Sequence, residues 1–462
     1  MKKSVKKDSP KIEELKHQAR NLSITEGIFA VAKDSFGHQY VSPFAIAINS
    51  SSPMVAMLTS ISGLLGPLSQ MFGSLLIGKY SRKRILLKTI FFEALMWAPF
   101  IAIAILFYNG ILLHTLPILL LLSFSLYTIA GGAGHPAWFS WMGDIVDEKD
   151  RGRWFSKRAL VTGFVSVVLV IVAAFLLDYS KKSGLTMMGF SVLFSLALIL
   201  RLISLRFFKK SYEPKIKLKK SSYFSFWDFL KKSPENNFGK IAIFRFFFTF
   251  ATAISSPLLA VYLLRNLGFS YVIYMIITFA GTAFALIVME LWGKFADRYG
   301  NYRTLCIASA LIVLIPFLWI LNTNPIYLIL IPSAISGIAW AGFHLTEKNF
   351  IYDNVSAQKR GFAVSYYNLF WGMGIFLGAG LGAILIKFIN TNFIEPIILV
   401  FILGGIVRAL IALWWLPKIR EIRKTEKFTS SRAFKEIFLK GAAPTIHEEV
   451  SEIIHIKKYL RD

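Results

Sequence analysis

Stretches of about twenty apolar residues return again and again along this chain of 462 residues, each closed by a short polar or basic break. A helical run of that length spans the roughly 30 Å hydrocarbon core of a bilayer, and an ordinary water-soluble domain has no use for it. Twelve such runs are present, the first beginning near Ile24. Hydrophobic residues make up 55% of the chain, with 42 phenylalanines, which fits lipid as the solvent. Lipid offers the backbone no hydrogen bonds, so the pattern predicts an all-α membrane protein with twelve transmembrane helices. The lysine-rich lead before Ile24 lacks the layout of a cleaved signal peptide, so the first helix is expected to direct insertion itself.

A net charge of +26 would suggest nucleic acid in a soluble protein, so the placement of the basic residues decides its meaning. With the amino terminus taken as cytoplasmic, 44 of the 52 Lys and Arg fall in inner segments, 4 in outer loops and 4 inside helices. That is the positive-inside distribution of a multi-pass protein with both termini cytoplasmic, in the cell membrane. The charge then reports topology and contact with anionic lipid, and no nucleic-acid partner is expected. The one cysteine, Cys306, excludes an internal disulfide and a multi-cysteine metal site. No cofactor or metal is expected, and the chain is expected to act as a monomer.

The chain also repeats itself. SPF at Ser42–Phe44 returns as SPL at Ser256–Leu258, and GKY at Gly78–Tyr80 returns as GKF at Gly293–Phe295. His135, Asp144, Arg151 and Gly152 meet His344, Asp353, Arg360 and Gly361 at one constant spacing, and Arg201 then meets Arg408. Markers in the same order at nearly equal spacing indicate a duplicated six-helix unit. The expected organisation is a cytoplasmic segment 1–23, a six-helix bundle 24–208, a basic cytoplasmic linker 209–238, a second bundle 239–416 and a cytoplasmic tail 417–462. Within the linker, Phe226, Phe229 and Leu230 share one helical face beside lysines, as an interfacial helix or a plain spacer would allow. In the tail, Val450, Ile453, Ile454 and Leu460 have the spacing of a surface helix.

Two six-helix repeats, both ends inside and a long basic central loop resemble the major facilitator superfamily of transporters. The loop signatures extend the resemblance over residues 24–416. The second copy, GKFADRYGNYR, places Gly293, Asp297, Arg298, Gly300 and Arg303 in the family's pattern; the first, GKYSRKR, keeps Gly78, Arg82, Lys83 and Arg84 without the aspartate. The resemblance implies that the first, fourth, seventh and tenth helices line a central cavity. Charges at adjacent helix ends can pair and hold one closed arrangement, so Arg82, Arg84, Asp144, Arg151, Asp297, Arg298, Arg303, Asp353 and Arg360 are candidate gating residues. The alternative for each arginine is an anchor that snorkels to lipid headgroups.

EGIFAVAKDSFGH, Glu26–His38, carries four ionisable groups in a span where each charge is costly, so they are expected to face a wet interior. Asp34 lies eleven residues in from Ser23, roughly 16 Å deep, and His135 and His344 sit nine residues before Asp144 and Asp353, roughly 13 Å from the same surface. Asp34 is a candidate proton carrier or a structural partner of Lys33 or Arg245. Glu26, nearer the inner surface, suits a helix-end or proton-transfer role. Lys33, His38, His135, Trp138, Arg245, His344 and Glu347 are candidate substrate-binding residues, with packing or internal pairing as the alternative. Arg201, Arg408 and Glu93, near helix ends, are expected to snorkel.

Two phosphate-site lookalikes fail: GSLLIGKY has Tyr80 where a hydroxyl is needed, and GMGIFLG follows no strand. The sequence thus predicts a secondary active transporter, not an enzyme, that moves a small anionic or zwitterionic organic solute by alternating access, with proton coupling. The rival readings are a multidrug efflux proton antiporter of the same fold and a receptor or scaffold that transports nothing.

Overall fold

The computed structural model describes residues 10–77, 79–147, 151–214, 226–355, 360–391, 393–423 and 425. Every described element is helical apart from an isolated bridge between Ile77 and Tyr80. The first six long helices are α1 (Pro10–Phe36), α2 (Ser52–Leu76), α3 (Arg82–Tyr108), α4 (Leu116–Ile145), α5 (Arg151–Lys182) and α6 (Thr186–Lys210). The second six are α7 (Asn237–Asn266), α8 (Tyr271–Tyr299), α9 (Asn301–Leu321), α10 (Ala334–Asn354), α11 (Arg360–Phe388) and α12 (Pro396–Trp415). Eleven of these spans are long and apolar enough to cross a membrane; α1, with Glu26, Lys33 and Asp34 in its apolar part, is the exception. α1 also begins fourteen residues earlier than its apolar run, so the polar lead continues the helix rather than preceding it.

Local chemistry sets the helix ends. Ser81 accepts a hydrogen bond from Arg84 N at 3.2 Å, and Asn236 accepts one from Gly239 N at 2.7 Å, satisfying first-turn amides of α3 and α7. Gly300, at φ +95°, makes the turn between α8 and α9 that the GKFADRYGNYR motif requires. Close approach explains two more glycines: a Cβ on Gly73 would strike the Ala133 backbone, and one on Gly132 would strike Ser69, so α2 and α4 lie nearly backbone to backbone.

The chain forms two compact units. One gathers Met1–Lys220, Pro257–Met275 and Ile375–Phe388; the other gathers Ser221–Ser256, Ile276–Gly374 and Ile389–Asp462. Named contacts bind the two short segments into the first unit. Arg265 donates to Ser50 O at 2.6 Å, Asp178 accepts from Tyr271 N and Val272 N at 2.8 and 3.0 Å, and Ser60 donates to Phe376 O at 2.7 Å. In the second unit the linker helix Phe226–Lys232 forms, but Phe226 and Phe229 stack on Tyr366 and Phe229 is buried. Its aromatic face therefore docks on α11, while Trp227 and Leu230 stay exposed. The tail helix expected around 446–460 lies outside the described residues.

Candidate functional site

The polar stripe of α1 is tied into the first unit by an alternating chain of charge. Lys33 Nζ donates to Glu93 Oε1 at 2.8 Å and to Tyr127 OH at 2.9 Å, and it pairs with Asp34 Oδ1 at 2.5 Å. The other Glu93 oxygen accepts from Arg201 Nε and Nη2, at 2.9 and 2.5 Å. Arg201 reaches on to Glu26 at 3.5 Å, which Ser204 and Arg158 also hold, at 3.1 and 3.4 Å. Three carboxylates and three cations thus run Asp34, Lys33, Glu93, Arg201, Glu26, Arg158 across α1, α3, α5 and α6. Burial of any one charge alone would be prohibitive, and alternation of sign is what permits burial of the set. The side chains of Lys33, Glu93 and Glu26 are 4 to 5% exposed, whereas Asp34 is 40% exposed. Asp34 is the wet end of a dry chain.

The geometry around Asp34 depends on Gly37. A Cβ there would collide with the Trp97 indole, which packs on Tyr127 at 4.8 Å between ring centres, and Tyr127 OH donates to Asp34 Oδ1 at 3.3 Å. His38 follows this break; it is exposed and stacks on Phe124 and Tyr127, at 5.7 and 6.0 Å. Trp138 enters through Arg158, whose guanidinium lies 4.7 Å from the indole centre. His135 is exposed beside Trp138, at 6.3 Å, and is not drawn into the ion-paired chain.

The second unit holds a smaller cluster. Arg245 on α7 pairs with Glu347 on α10 at 2.6 Å, and its guanidinium lies over the rings of Phe343 and Trp371. Glu347 also accepts from Tyr367 OH at 2.5 Å and contacts His344 Nδ1 at 3.0 Å. His344 is 51% exposed and stacks on Trp340, with ring centres 5.2 Å apart. Here too a buried pair ends in one exposed titratable side chain.

At the linker-side helix ends the gating candidates divide. Arg82, 1% exposed, donates to Asp144 at 2.5 Å, to Ser140 O at 3.0 Å and to Pro214 O at 2.8 Å, with Glu213 at 3.6 Å. In the second unit the cation comes from beyond α12: Arg423 grips Asp353 through Nε at 2.8 Å and Nη2 at 3.1 Å, and reaches Asp297 at 3.3 Å. Its bonds to Asp353 push the guanidinium pKa above the ordinary value. Asn301 donates to Asp353 at 2.9 Å, and Glu421 accepts from Tyr302 N at 2.8 Å. Arg298 lies over Tyr299, Arg84 over Tyr80, and Arg303 is in the first turn of α9. The side chains of Arg151 and Arg360 are outside the described residues. Arg423→Ala is expected to cost only about 1 kcal/mol, because the group is partly exposed. It will raise amide hydrogen exchange of 419–423 severalfold without changing exchange in α1.

Three expectations need correction. Arg201 and Glu93 do not snorkel: they bridge Lys33 to Glu26 inside the first unit. Arg408 is buried in the second unit, 4% exposed. Glu26 is not at a solvated helix end but sits between two arginines. Tyr127, Arg158 and Tyr367 also escaped the sequence reading. Glu93 and Arg201 were detectable as charges within apolar spans, which are seldom idle.

Together these features define a multi-pass helical membrane protein built from two repeats, each with paired charges buried among its helices. The chain belongs to the Major Facilitator Superfamily, whose family model matches residues 24–250 and again 241–458. Among solved structures, a mutant of the nucleoside transporter NupG is similar at 16% identity and TM-score 0.65, over 88% of this chain and 100% of that one. A bacterial homologue of the iron transporter ferroportin, in an inward-facing state, is similar at 15% identity and TM-score 0.63, over 86% of this chain and 98% of that one. A bacterial metal transporter is similar at 15% identity and TM-score 0.62, with the same coverage. No curated protein matches the chain.

Proposed function

We propose that this protein is a secondary active transporter that moves a small organic solute, anionic or zwitterionic, by alternating access, with a proton carried at Asp34. The observation that carries the reading is the balanced charge chain of the first unit, closed at five groups and open at Asp34. A carboxylate in that position can gain a proton while Lys33 keeps Glu93 and Tyr127 as partners, so the fold need not come apart when the charge changes. In the second unit, the stacked Trp340 and His344, with Trp371 beside Arg245, favour a flat or anionic organic solute, because aromatic faces and a guanidinium bind such groups well. The working parts in this reading are the bundles 24–208 and 239–416, joined by 209–238. Glu26, held by Arg158 and Arg201, serves as a fixed counter-charge rather than the carrier.

The test is counterflow in liposomes that contain the purified full chain. Labelled solutes, nucleosides and organic anions among them, will accumulate transiently against excess unlabelled solute, faster when a pH gradient is imposed. If a divalent metal alone shows counterflow, the solute class is wrong; if nothing does, the transport reading is wrong.

A further inference from the structure

Arg408 on α12 is a cation without a counter-charge. Its guanidinium donates to Thr252 O at 3.0 Å, to Ser255 Oγ at 2.8 Å and, weakly, to Ile312 O at 3.4 Å. The last is the carbonyl that Pro316, four residues on and without an N–H, leaves free within α9. These acceptors are neutral. Among the described residues no carboxylate contacts Arg408, and its Nε–H, fully buried, has no partner. Ser309, one turn before Ile312 on the same face of α9, is wholly buried with an unpartnered hydroxyl.

The repeat makes the gap specific. Arg201 is the counterpart of Arg408, and it is neutralised by Glu93 and Glu26. Gly78 matches Gly293 and Pro99 matches Pro316, so the place of Glu93 falls within Ala308–Ala310, whose middle residue is Ser309. By the Ser42 and Ser256 match, the place of Glu26 falls at Lys240, flanked by Gly239 and Ile241. Both carboxylates are gone and the arginine has stayed. A guanidinium removed from water demands an anion nearby, since neutral dipoles alone repay little of its lost hydration.

We infer that the second unit binds a small, weakly hydrated monovalent anion of the chloride class beside Arg408, held by Nε–H and the Ser309 hydroxyl in the place that Glu93 fills in the first unit. The site is distinct from the Arg245 cluster and does not depend on the transport reading.

The test uses the full chain in detergent, exchanged into gluconate and titrated with chloride or bromide at constant ionic strength. The expected result is a saturable rise of several degrees in the melting midpoint, because a ligand that prefers the folded state stabilises it. That rise will be absent in Arg408→Gln, and crystals soaked in bromide will show an anomalous peak beside Nε. Ser309→Val, which fills the site and spares the guanidinium, will raise the half-saturating halide concentration at least tenfold; it decides the matter if Arg408→Gln does not fold. Equal midpoints in chloride and gluconate, or an unchanged halide response in either variant, overturn the inference.

Discussion

Glu93→Ala will destabilise the protein by about 3 to 5 kcal/mol, the cost of removing one partner from a buried ion pair. Among the described residues Glu93 alone joins Lys33 to Arg201, so its loss leaves two cations under-compensated at once, one 4% and the other 13% exposed, with Asp34 and Glu26 as their remaining carboxylates. Thermal unfolding in detergent will show the midpoint falling, and Glu93→Gln will fall nearly as far, since an amide keeps the shape and loses the charge. The double variant Glu93→Leu with Arg201→Leu will recover part of the loss, because two apolar side chains leave less uncompensated charge behind. A Glu93→Ala protein as stable as the native one would show that the chain of charges holds nothing together.

Asp34→Asn will reduce proton-driven uptake in liposomes at least tenfold, about 1.4 kcal/mol or more in the rate-limiting barrier. Exchange of solute at equal pH on both sides will persist, since exchange needs no net proton transfer. Lys33 keeps two of its three partners in this variant, so the melting midpoint will move much less than in Glu93→Ala. Glu26→Gln gives the contrast: it leaves Arg158 and Arg201 under-compensated, and it will cost stability rather than coupling. Were Glu26→Gln to uncouple uptake while Asp34→Asn did not, the carrier would have to be reassigned to Glu26.

Much of the architecture was legible because lipid imposes a simple rule on every span. Run length, the crowding of Lys and Arg into alternate loops and the paired markers from Ser42 to Arg408 required no knowledge of packing. The ionisable stripe of α1 was legible for the same reason: charge in a span must face something polar. What it faced was not. The partners of Lys33 and Glu26 beyond α1 come from α3, α4, α5 and α6, which are remote in sequence, and nothing in the local pattern of Glu93 or Arg201 separates a snorkelling side chain from a bridging one. Asp353 posed the same difficulty. The sequence marked it as a candidate gating residue without assigning it a partner, and Arg423 reaches it from a segment that sequence alone reads as polar tail. Arg201 and Arg408 occupy matching places in the repeat, yet among the described residues only Arg201 has acidic partners.

The equality of acids and bases in the six-group chain of the first unit has an electrical consequence. Asp34, Glu93 and Glu26 cancel Lys33, Arg201 and Arg158, so in the proposed cycle the empty form carries no net charge there. A proton on Asp34 leaves one positive charge, which a monoanionic solute would cancel. The empty and the doubly loaded forms would then respond alike to membrane voltage, and the cycle would run on the difference in pH rather than on the potential.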